Sequence, residues 1–144
     1  MSEIEKIFSA IESQFMGQSS ERFSDKVLEF AYDPLNTGEI EDPDGTGFAK
    51  GECGDSMTIF LKTEKNKIKE ARFLADGCGA TLACGSAVTE LVKDKSLFNA
   101  KNIYPQTVIR FLDGLPASHT HCSVLAVQAL RKALDDIDTK LKGK

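Results

Sequence analysis

Two short alternating runs set the strongest limit on what this chain can fold into. Met57, Ile59 and Leu61 alternate with Thr58, Phe60 and Lys62, and Ala71, Phe73 and Ala75 alternate with Glu70, Arg72 and Leu74. A period of two puts successive side chains on opposite faces, so each run reads as a half-buried strand. The polar stretch between them contains Asn66 and supplies a turn, which makes the pair a β-hairpin. With the turn centred on Lys65 and Asn66, Cys53 stands opposite Cys78. Directly opposed residues of an antiparallel pair have Cβ atoms about 4.5–5.5 Å apart, within reach of a shared metal ion or cluster.

The remaining chain reads mostly as helix. Ile4, Ile7, Phe8, Ile11 and Phe15 recur at helical spacing, so residues 1–20 are expected to be a helical extension ahead of a domain over residues 21–144. Ser24 is placed to cap a second helix carrying Val27, Leu28 and Ala31, which ends before Pro34. Residues 33–51, rich in Pro, Gly, Asp and Asn, read as a long loop leading into Cys53. Ala80, Ala83, Cys84, Ala87 and Leu91 share one face of a helix that starts just after Cys78. Residues 97–112 read as one or two short helices interrupted by Pro105 and stopped by Gly114 and Pro116. A last helix begins near His121, with Ser123, Val127, Leu130, Leu134, Ile137 and Leu141 on one stripe. Hairpin first and helices after predicts an α+β domain, a small antiparallel β-sheet packed against helices.

Charge and composition exclude several classes. A net charge of -4 with basic and acidic residues interspersed gives no basic stripe, so nucleic acid is not an expected partner. The first residues lack a basic leader followed by a continuous apolar run, so the chain reads as cytoplasmic, with neither signal peptide nor membrane span. Four cysteines in a reducing compartment point to metal binding or catalysis rather than to disulfides.

Glycines bracket two of these cysteines: Gly51 and Gly54 around Cys53, Gly77 and Gly79 around Cys78. Such turns leave the sulfurs exposed. A single cysteine at a strand end reads as a small buried hydrophobe; two at matched hairpin ends read as ligands. Cys122 lies at the start of the last helix beside His121, with His119 two residues earlier, where the helix dipole favours a thiolate. Asp55, two residues after Cys53, shares its side of the strand and can offer an oxygen; taken alone it reads as an exposed carboxylate. Cys84 lies on the apolar stripe of its helix and reads as core.

Several spaced segments agree, in order, with one known family. Residues 23–38 (FSDKVLEFAYDPLNTG), 53–57 (CGDSM), 73–80 (FLADGCGA) and 115–126 (LPASHTHCSVLA) resemble the U-type iron–sulfur cluster scaffolds, IscU and the N-terminal domain of NifU. The resemblance implies a scaffold fold whose ligands match Cys53, Cys78 and Cys122, with Asp55 and His121 at the family's Asp and His positions. It implies a cluster of the 2Fe–2S type, or zinc in the isolated protein. It also implies a cysteine desulfurase as sulfur source, a frataxin-like protein and a ferredoxin as helpers with iron and electrons, and carriers or apoproteins as acceptors. Two departures stand out. Members served by a dedicated Hsp70-type chaperone carry a Leu-Pro-Pro-Val-Lys run, which is Leu115-Pro116-Ala117-Ser118-His119 here, so chaperone recognition does not carry over. Cys84 stands where IscU commonly has Ser.

Two enzyme readings compete with the scaffold. A zinc hydrolase could use the same ligands with an open position for water, but the chain has neither an HExxH helix nor HxE followed by PCxxC to supply a general base. A cysteine hydrolase built on Cys122 and His121 would need adjacent residues to face each other as nucleophile and base.

Overall fold

A computed structural model describes residues 22–52 and 54–142. The expected helix within residues 1–20 and the position of Cys53 lie outside the described residues.

Helix α1 (Asp25–Tyr32) is followed by strands β1 (Gly45–Lys50), β2 (Ser56–Glu64) and β3 (Lys67–Asp76). Then come α2 (Gly79–Val92), the short α3 (Leu97–Ala100) and α4 (Pro105–Phe111), a 3₁₀ turn (Ala117–His119) and the long α5 (Thr120–Lys142). The strands form one antiparallel sheet in the order β1-β2-β3. Helices α5 and α2 pack on one face, and α1 packs on α2. Met57, Ile59, Leu61, Ala71 and Phe73 point into that layer and are buried, whereas Phe48 and Leu74 stand exposed on the other face. This is the α+β arrangement that the alternating runs and the helical stripes predict.

Local chemistry explains most boundaries. The Ser24 side chain accepts a hydrogen bond from the Val27 amide and starts α1 as expected. Lys65 and Asn66 both adopt positive φ (55° and 64°), the pattern of a two-residue hairpin turn whose twist matches the flanking strands. Pro105 begins α4 rather than interrupting a longer helix, because the first helical position needs no amide hydrogen. Val127, Leu130, Leu134 and Ile137 are buried along α5, but Leu141, one turn beyond Ile137, is 52% exposed.

Two expectations are corrected. Residues 45–50 form an edge strand within the segment read as loop. Its glycines disguise it: a Cβ at Gly45 or Gly47 would overlap the α5 backbone at Ala133 or Ala129, so this close sheet–helix approach requires turn-like residues in a strand. The hairpin also carries a register shift between Lys62 and Thr63. Beyond it Ser56 faces Asp76, one residue off the simple pairing, and the register that set Cys53 opposite Cys78 no longer holds.

Candidate functional site

The two strand ends and two helix starts meet at one end of the sheet. Cys78 is the N-cap residue of α2 and its side chain is exposed. Cys122 sits in the first turn of α5 and is fully buried. Thr81, in the first turn of α2, links them: its Oγ1 lies 3.7 Å from Cys78 Sγ and 3.6 Å from Cys122 Sγ. His121 is exposed, with Nε2 3.7 Å from Cys122 Sγ. Its ring stacks on His119 at 6.2 Å, and His119 in turn meets Phe23 edge-on at 5.0 Å, which anchors the histidine pair to the body of the domain.

Asp55 departs from the exposed carboxylate that its position alone suggests. It is 8% exposed, and both carboxylate oxygens are buried without a hydrogen-bond partner among the described residues. Asp55, His121 and Cys122 each present one ligand atom within 4.8 Å of the others. Glycine makes this possible on both sides, since a Cβ at Gly51 would collide with the Asp55 carboxylate and one at Gly77 would crowd Asp55 Cβ and Thr81. A cleft of about 260 Å³ opens here, lined by Asp55, Gly77, Cys78, Thr81 and His121.

The two site thiols are not equivalent. A hydrogen bond from the Cys122 thiol pulls the Cys78 pKa well below the ordinary thiol range, and the Thr81 and Ala80 amides at the start of α2 add to that pull against partial burial. The same hydrogen bond, together with burial, pushes Cys122 up. The pair therefore favours charge on Cys78 over charge on Cys122. Cys84 is fully buried among apolar side chains, and burial first, then the Cys78 charge, raises its pKa, which agrees with its reading as core.

Of the five residues singled out from sequence, Asp55, Cys78, His121 and Cys122 thus come together; Cys53 lies outside the described residues. The sequence reading missed Thr81. Its signal was its spacing, three residues after Cys78 and so on the same side of α2.

A buried carboxylate without a partner among the described residues, beside two cysteines and an imidazole, fits a cation, because an anion in such a place is otherwise costly. The NifU-like N terminal domain family matches residues 22–143. The chain belongs to that family. The iron-sulfur cluster assembly scaffold protein IscU 1 of Archaeoglobus fulgidus is 43% identical over 115 residues, covering 79% of this chain and 75% of that protein. IscU of Aquifex aeolicus is 36% identical over 117 residues, covering 79% and 74%. Nitrogen fixation protein NifU of Trichormus azollae is 39% identical over 121 residues, 78% of this chain but 40% of its own length. Among solved structures, a NifU-like protein (N-terminal) from Brucella abortus superposes with TM-score 0.66 at 16% identity, over 81% of this chain and 94% of that one. The fold of the NifU-like domain is therefore shared well beyond the reach of sequence similarity. No helix among the described residues is long and apolar enough to cross a membrane.

Proposed function

We propose that this chain is a scaffold on which an iron–sulfur cluster of the 2Fe–2S type is assembled and from which it is handed to acceptor proteins, with no catalytic chemistry of its own. Asp55 carries the reading: a carboxylate buried without a partner among the described residues, beside Cys122 and His121, in a chain whose A. fulgidus and A. aeolicus relatives are named as cluster assembly scaffolds. Cys78, open to solvent and with its pKa drawn down, is the first sulfur that incoming iron or a persulfide donor meets. Cys122, buried and with its pKa raised, follows as the second sulfur, and Cys53 supplies the third. Asp55 and His121 complete the set with weaker ligands. A hard carboxylate oxygen binds iron of a sulfide-bridged cluster less strongly than thiolate, which leaves one corner exchangeable. Zinc suits the same mixture of thiolate, imidazole and carboxylate, and we expect it in protein isolated without a cluster.

The partners follow from this role: a cysteine desulfurase as sulfur source, a frataxin-like protein and a ferredoxin as helpers with iron and electrons, and carriers or apoproteins as acceptors. Anaerobic reconstitution with ferrous iron and sulfide, read by visible absorption and Mössbauer spectroscopy, tests the proposal. The wild type and Cys84→Ser are expected to take up a cluster, whereas Cys78→Ala and Cys122→Ala lose the chromophore. A wild-type chain that acquires no cluster, or variants of both site thiols that keep it, would overturn the reading.

A further inference from the structure

The described core contains four buried hydroxyl residues, Thr81, Ser86, Thr89 and Ser123. Three of them serve the backbone. Thr89 donates to the Gly85 carbonyl at 2.7 Å, Ser123 to the Thr120 carbonyl at 2.6 Å, and Ser86 accepts from the Leu35 amide at 2.9 Å. Thr81 differs. Fully buried in the first turn of α2, it directs its hydroxyl between the sulfurs of Cys78 and Cys122, at 3.7 and 3.6 Å. An apolar side chain of the same shape would fill that space without the cost of a buried hydroxyl, so packing gives no reason for threonine here.

Resting on the scaffold reading above, we propose that Thr81 is a positioning residue whose hydroxyl hydrogen-bonds to the Cys78 and Cys122 sulfurs and weakens their grip on bound metal, so that the cargo can leave. A hydrogen bond donated to a thiolate draws electron density from the sulfur and lowers its strength as a ligand. The hydroxyl has one proton and two sulfurs at nearly equal distance, so it can serve whichever carries more charge. Its anchor on α2 also keeps the two sulfurs at a fixed separation while the site fills and empties. Thr81 never bonds to the metal; it acts through the ligands.

Cobalt(II) is the probe, because its sulfur-to-metal charge-transfer band reports the electron density on ligated sulfur without any transfer assay. Thr81→Val keeps the shape and removes the hydroxyl; Thr81→Ser keeps the hydroxyl and removes the methyl. In Thr81→Val the band is expected to move to lower energy and withdrawal of cobalt by a chelator to slow about tenfold, the scale of one hydrogen bond to a charged group. Thr81→Ser is expected to restore both towards wild type, and the apo form of Thr81→Val to melt no lower than wild type. Should Thr81→Val fail to fold, Thr81→Ala gives the same readouts. An unchanged band and withdrawal rate in the hydroxyl-free variant, or a serine variant that behaves like valine, would overturn the role of Thr81 and leave the scaffold reading intact. A wild-type chain without any sulfur-to-cobalt band would overturn the metal site itself, and this proposal with it.

Discussion

The two ends of the sheet treat their carboxylates in opposite ways. At the turn end, Asp44 accepts from the Thr63 amide at 2.7 Å and its hydroxyl at 3.1 Å, and Asp136 of α5 accepts from the Thr46 amide at 2.9 Å. Both sit near solvent, and these hydrogen bonds hold their pKa values down. At the cysteine end, Asp55 is more deeply buried and has no such partner among the described residues. Carboxylates at the first end tie the fold together. Burying the one at the second end is unfavourable unless a cation comes to it, which is the role proposed for that site.

The glycines divide along the same line and give the largest expected effect. A Cβ at Gly47 would overlap the backbone of α5 at Ala129 and Ala133, which cannot move aside. Gly47→Ala should therefore lower stability by about 3 kcal/mol in chemical denaturation. At Gly51 the clash is with the end of the Asp55 side chain, which can swing away. Gly51→Ala should leave the denaturation midpoint nearly unchanged while weakening cobalt binding. Equal losses of stability at the two positions would erase the contrast between the ends.

Asp55→Ala comes next. Removing a buried group that lacks partners among the described residues should raise the stability of the apo protein by about 1 kcal/mol in the same denaturation measurement. A clear loss of stability would mean that Asp55 has a structural partner and belongs with Asp44 and Asp136.

The smallest effect concerns Asp136→Ala and is set by pH. A carboxyl whose folded pKa is depressed adds stability above its unfolded pKa and loses it as pH falls through the folded value. The variant should melt slightly below wild type near neutrality, and the difference should fade as pH falls through the lowered folded pKa of Asp136. A difference that persisted in acid would show that lost packing, rather than the Thr46 hydrogen bond, accounts for it.

Much of this arrangement was legible in the sequence, and the failures have physical causes. Period-two patterning located the Met57 and Phe73 strands because one face of each is buried and the other is not. Strand β1 escaped notice because close packing against α5 demands glycine, which reads as turn. The register shift at Lys62 has no side-chain signature that an alternating pattern could reveal. Cys78, Cys122, His121 and Asp55 stood out by residue type and spacing, but the depth of Asp55 did not, since Gly77, which closes on it beside Gly51, comes from the far end of β3. Thr81 stayed hidden because threonine in a helix is common and its meaning arises only from the sulfur of Cys122, 41 positions away.

The most direct test of the central claim, that the cysteine end holds a cargo it must release, is the rate at which the reconstituted cluster passes to an apo-acceptor, followed by visible circular dichroism. Asp55→Ala should accept a cluster and keep its fold, yet transfer the cluster more slowly than wild type and resist chelators longer, because the exchangeable oxygen is gone. Transfer at the wild-type rate would contradict the account and return Asp55 to the ranks of ordinary carboxylates.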